Sequence, residues 1–159
     1  MGKQIQFSVE ATSAASPAAV YALLGDGATW PGWSPIGAFE LEREGESGGE
    51  SKGAIRVFTT GRTRNREELV ELSPGREFSY RSLSGMPITN HLASVRLAPA
   101  AGGTLITWHE QFETTIPGSA WYLSRALRKF VQACADGLAA RAASQPPASQ
   151  PAAGQPPAS

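Results

Sequence analysis

The chain has 159 residues, and its 14 basic side chains are balanced by 14 acidic ones, which leaves no basic surplus for a nucleic-acid backbone. A single cysteine, Cys134, excludes an intramolecular disulfide and a cysteine-rich zinc site, and no apolar stretch is long enough to span a membrane. The opening Met1-Gly2-Lys3-Gln4 has no signal-peptide core, so a soluble cytoplasmic protein is the expectation.

Residues 3–12 alternate Ile5, Phe7, Val9 and Ala11 with Gln4, Gln6, Ser8, Glu10 and Thr12, which is the pattern of a half-buried strand. Ser16-Pro17 then supplies an N-cap followed by proline at the first helical position. Val20, Leu23 and Leu24 form a short apolar face before Gly25 ends it. The segment 30–35, WPGWSP, is too rich in breakers for a long helix, and its Trp30 and Trp33 are candidates for gating a pocket or capping a sheet edge.

Six further strands are predicted at 39–43, 54–60, 66–72, 78–83, 90–97 and 105–114, separated by glycine-rich or Pro-Gly turns. The run Arg62, Arg64, Arg66 is answered at once by Glu67, Glu68 and Glu71, and reads as a solvated strand that pairs its own charges. Over residues 119–143 the period becomes helical, with Leu123, Leu127, Phe130, Val131, Cys134 and Leu138 on one stripe. Cys134 reads there as a small core residue.

From residue 144 the chain has no charge and no aromatic group, and QPPAS occurs at 145–149 and again at 155–159. Such a segment buries too little surface to offset its ordering entropy. The expected organisation is one domain over 1–143 and a disordered tail over 144–159. Short loops between consecutive strands imply an antiparallel meander whose apolar face needs a cover, and the final helix is the element long enough to provide it. One helix does not fill a wide concave sheet, so a cavity is expected between them.

Glu110 stands out within this plan. Alternation in residues 105–114 places it with Ile106, Trp108 and Phe112, on the face turned to the core. A buried carboxylate without a partner costs several kcal/mol, roughly the worth of one or two large apolar side chains, so it must be paired, protonated or wetted. A turn centred on Ala100 and Ala101 would set Val95 opposite Ile106, Ala93 opposite Trp108 and His91 opposite Glu110. A turn centred on Gly85 and Met86 would set Tyr80 opposite His91. The candidate is a polar line of Tyr80, His91 and Glu110, with His91 as base, Glu110 holding and charging it, and Tyr80 polarising a carbonyl oxygen. The same line can equally serve to contact a ligand. His109 falls on the polar face. With two histidines on opposite faces no metal site is expected, and without GxGxxG, phosphate loop or nucleophile elbow no cofactor is expected.

Three pieces of the chain, VYALLGDGATWPGWSP, RNREELVELSPGREFSYR and GGTLITWHEQFE followed by a long terminal helix, resemble the polyketide cyclase/dehydrase branch of the START-related helix-grip (SRPBCC) superfamily. The resemblance covers residues 5–143. It implies an α+β helix-grip fold, in which a seven-stranded antiparallel sheet curves around the C-terminal helix and two short helices follow the first strand. It also implies an interior pocket for a hydrophobic small molecule, carried over through Trp33, Tyr80 and Trp108. It brings no universal catalytic residue. With the inward residues of the strands and helix, the expected ligand-binding set is Trp33, Phe78, Tyr80, His91, Trp108, Glu110, Phe112, Leu127 and Phe130. The leading function is binding of a hydrophobic, aromatic or polycyclic small molecule or lipid. A cofactor-independent cyclase/aromatase or dehydratase, and an interaction module with no small-molecule role, stay open as alternatives.

Overall fold

Period-two alternation in the strands and a helical stripe near the C-terminus combine into one curved sheet with one long covering helix. The computed structural model describes residues 3–145. Its strands are β1 (Gln4–Ser13), β2 (Ala38–Arg43), β3 (Ile55–Thr60), β4 (Thr63–Ser73), β5 (Glu77–Ser84), β6 (Ile88–Ala100) and β7 (Gly103–Thr114). They form one seven-stranded antiparallel sheet in the order β1-β7-β6-β5-β4-β3-β2. The meander from β2 to β7 is thus closed by the first strand, which lies against the last.

Helix α1 (Pro17–Gly25) begins where expected, with the Ser16 hydroxyl accepting from the Ala19 N–H at 3.2 Å and proline in the first turn. A 3-10 turn, Gly27–Gly32, follows and holds Trp30 in the core. Helix α2 (Ala120–Ser144) packs Val131, Cys134, Ala135, Leu138, Ala139 and Ala142 against the sheet and α1. It reaches one residue into the segment expected to be disordered; residues 146–159 of that segment lie outside the described residues.

Both hairpin registers differ from expectation by two residues. Ala100 pairs with Gly103, which centres the last turn on Ala101 and Gly102, and Gly102 takes φ 78° there. A glycine supplies that left-handed conformation without the clash a Cβ would bring. Leu97 therefore faces Ile106, Val95 faces Trp108 and Ala93 faces Glu110. In the preceding hairpin Tyr80 faces Ala93 and not His91. Because the slip is even, every side chain stays on its expected face.

A bulge in β6 then restores the contact that the register alone would lose. Between Thr89↔Glu113 and Leu92↔Gln111, the two residues Asn90 and His91 stand against Phe112. Asn90 takes φ 50°, a conformation asparagine tolerates better than most residues, and its side chain donates to Glu113 at 3.0 Å. His91 is turned inward and buried.

The arginine run does not pair within its own strand. Arg64 reaches Glu40 and Arg66 reaches Glu42, both on β2, while Glu68 takes Arg81 of β5 and Arg43 of β2. Glu67 is not part of this surface: it shares the inward face of β4 with Leu69 and is 4% exposed. The dense alternation of charge hid one carboxylate that belongs to the interior.

Candidate functional site

The inward faces of β3 to β7 and the first half of α2 enclose a cavity of about 320 Å³. Its deep wall is aromatic, with Trp30, Phe58, Tyr80, Trp108 and Phe112 all buried. Thr63, Gly85, Pro87 and Ala126 line the same cavity and are exposed, so the mouth lies between the β3–β4 turn, the β5–β6 turn and α2. Gly85 lets the β5–β6 turn rest on the Arg64 backbone, which a side chain would meet head-on.

On this apolar floor Glu110, His91, Ser82, Asn65, Glu67 and Arg56 form one connected line, to which the Tyr80 hydroxyl makes no hydrogen bond. Glu110, 1% exposed, lies 2.6 Å through Oε2 from His91 Nε2. The other imidazole nitrogen, Nδ1, accepts from the Ser82 backbone N–H at 2.8 Å. An amide N–H only donates, so Nδ1 carries no hydrogen and Nε2 must be the donor to Glu110. The ring has taken over a place in the ladder: the β5–β6 pairs end at Tyr80↔Ala93, and the bulge removes the backbone that Ser82 would otherwise bond next. The line continues from the Ser82 hydroxyl to Asn65 Oδ1 (2.7 Å) and from Asn65 Nδ2 to Glu67 Oε2 (3.0 Å). It ends at Arg56, whose Nη2 stands 3.4 Å from Glu67 Oε1.

Arg56 is fully buried, and the alternation of β3 explains its place, since it shares a face with Phe58. Its guanidinium lies within 4.9, 4.9 and 5.0 Å of the Trp30, Phe58 and Phe78 ring centres. It also donates to the Leu24 carbonyl at 2.9 Å and pairs with Glu50 at 3.2 Å. Glu50 accepts the Gly27 N–H through both oxygens, at 3.0 and 2.8 Å, which fixes the start of the 3-10 turn that carries Trp30. Charge pairing at one end of the cavity therefore sets the position of its aromatic wall.

Burial is the main influence on the titrating groups. It pushes the Glu67 carboxyl up to about 7, with the Arg56 charge acting against it. It raises the Tyr80 hydroxyl well above its ordinary range, helped by the charges of Glu110 and Glu67, so that hydroxyl keeps its proton. The Cys134 thiol, also on the wall, is raised as well and stays protonated.

Of the residues expected to contact ligand, Tyr80, His91, Trp108, Glu110, Phe112, Leu127 and Phe130 line the cavity. Trp33 and Phe78 do not. Trp33 is held away by its neighbours: its ring lies on Trp30 with centres 4.6 Å apart, its indole N–H donates to Thr29 at 3.1 Å, and its carbonyl packs on Gly137 of α2. Phe78 sits behind Tyr80, between Arg56 and Tyr21. The assignment of His91 as a base does not fit this geometry, because neither ring nitrogen has a lone pair free for a substrate. Of the two tryptophans considered for gating a pocket or capping an edge, Trp30 is a buried part of the cavity wall, and sequence reasoning overlooked Arg56, Asn65, Glu67 and Ser82. The signal for Arg56 and Glu67 was the one that exposed Glu110, a charge in phase with the apolar residues of its strand.

Residues 4–143 match the family described as polyketide cyclase / dehydrase and lipid transport. The chain belongs to that family. Its fold is shared by Ara h 8.0201 at 17% identity (90% of this chain, all 100% of the other, TM-score 0.72) and by a START superfamily protein from Mycobacterium smegmatis at 16% identity (89% and 97%, TM-score 0.72). The di-domain ARO/CYC StfQ of the steffimycin biosynthetic pathway is similar at 18% identity, with 87% of this chain covering 50% of that one at TM-score 0.69. These likenesses establish the helix-grip fold. No curated protein matches the sequence significantly. Membership of this family is consistent with hydrophobic ligand binding or a polyketide cyclase role, and no helix among the described residues is long and apolar enough to cross a membrane.

Proposed function

We propose that this protein binds a hydrophobic, aromatic or polycyclic small molecule in the cavity between sheet and α2. The observation that carries this reading is the combination of an aromatic wall with one convergent polar line beside it. A volume of about 320 Å³ lies at the lower end of the range for small-molecule sites, which favours a compact ring system over a long acyl chain. The apolar body would lie against Trp30, Phe58, Trp108 and Phe112, and a polar atom would meet Glu110 and Tyr80. Native mass spectrometry of gently purified protein tests this: the expected result is an added mass that leaves on denaturation, or uptake of a polycyclic hydroxyaromatic with quenching of tryptophan fluorescence. A protein that is empty and binds no such compound would sink the proposal.

A second reading, a cofactor-independent cyclase or dehydratase, is favoured by one feature. The bond from Ser82 locks His91 as a donor to Glu110, so Glu110 becomes the group able to accept a proton and His91 the group that positions it. Tyr80, keeping its own proton, could bond an oxygen on which charge develops. A chemical change in bound ligand that disappears in Glu110→Gln supports catalysis; unchanged ligand in the parent protein leaves it a carrier.

A further inference from the structure

The cavity's charge specifies the polar end of its ligand, on the reading that a small molecule binds there. Among the described residues lining it there is no lysine or arginine, while two carboxylates, Glu67 and Glu110, are present. The buried cation nearest to them, Arg56, stands behind Trp30 and Phe58. It is already engaged by Leu24, Glu50 and Glu67.

The two carboxylates are not equivalent. Both oxygens of Glu67 have protein partners, Arg56 and Asn65. Glu110 has a bond to Oε2 alone among the described residues, from His91 at 2.6 Å, a length at the short end of charge-assisted contacts. Its other oxygen is left to the cavity it lines. Tyr80 lies on the same floor, its ring centre 6.0 Å from that of His91. A group that both donates and accepts suits this pair, donating to Glu110 and accepting from the Tyr80 hydroxyl.

We infer that the cavity selects a phenolic or enolic hydroxyl, placed on Glu110, and rejects ligands whose buried end is a carboxylate. A carboxylate would meet Glu110 across a poorly screened interior with no free cation to receive it. A methyl ether of the same body has no hydrogen to donate and leaves the Glu110 oxygen unpartnered.

Calorimetric titration of the full chain with β-naphthol, its methyl ether and β-naphthoate tests this with one apolar body and three polar ends. The naphthol is expected to bind about tenfold or more tightly than the ether, the scale of a hydrogen bond to a charged group, and the naphthoate most weakly. In Glu110→Leu the naphthol should fall to the level of the ether. The ranking in the unmutated protein decides the matter even if that variant folds poorly. Naphthoate equal to or tighter than naphthol, or naphthol equal to its ether, overturns the inference while leaving cavity binding intact. Failure of all three to bind overturns the binding reading and this inference together.

Discussion

The backbone N–H of Ser82 donates to Nδ1 of His91 across 2.8 Å, and that bond dictates what the imidazole does on its far side. With Nδ1 occupied, the hydrogen sits on Nε2 and points at Glu110. Long-range proton–nitrogen NMR should therefore find His91 as the Nε2–H tautomer at neutral pH. A proton on Nδ1 would contradict the assignment.

Stability should depend on pH through Glu67. Its ordinary carboxyl value of 4.5 is raised by burial to about 7 in the folded protein, so the native state holds a proton that the unfolded chain releases. The resulting stabilisation is fully present below the unfolded value and is lost as pH rises through about 7; at 1.36 kcal/mol per pH unit it amounts to roughly 3 kcal/mol. Urea unfolding at about pH 5 and about pH 8 should show this loss in the parent protein and not in Glu67→Gln. Equal pH dependence in both proteins would remove Glu67 as the cause.

The β6 bulge rests on one residue. Asn90→Gly keeps the left-handed backbone accessible and should be nearly neutral, whereas Asn90→Val should cost about 1–2 kcal/mol and loosen the His91 to Glu110 contact. Denaturant midpoints of the two variants, read with the His91 ring signals, measure both effects. A valine variant as stable as the parent would show that the bulge is not held by this conformation.

How much of this was legible in the sequence depended on the range of the interaction. Strand and helix positions follow from alternation and capping, which are local, and their ends agree with the structure to within a few residues, as at β1 and α2. The register of the last hairpin differs from expectation because either Ala100-Ala101 or Ala101-Gly102 can occupy the turn, and the positive φ at Gly102 decides it. The inward face survived because an even slip preserves parity. The bulge at Asn90 carries no comparable signal, since it appears only where two strands already paired must absorb an extra residue. Glu67 was hidden for another reason, since a charged run is read as solvated on the sequence alone, while Arg56 stands alone in an apolar strand and its burial depends on Glu67 and Glu50.

Trp33 illustrates a constraint that acts from another element. Its carbonyl packs on Gly137 so closely that a methyl there would collide with the oxygen. Gly137→Ala should destabilise the protein by about 1–3 kcal/mol, in the range of overpacked cores, despite alanine's better helix propensity. Chemical denaturation checks it, and a neutral or stabilising effect would mean that α2 and the 3-10 turn can separate at little cost.

The direct test of the cavity as a ligand site is to close its mouth. Ala126 is exposed on α2 and lines the opening, so Ala126→Trp adds bulk without disturbing the buried stripe of the helix. Titration of β-naphthol into the parent protein should give saturable binding at one site, and in Ala126→Trp the affinity should fall by about tenfold or more at an unchanged melting temperature. Equal affinity in the two proteins would place the ligand elsewhere and contradict the assignment of function to this cavity.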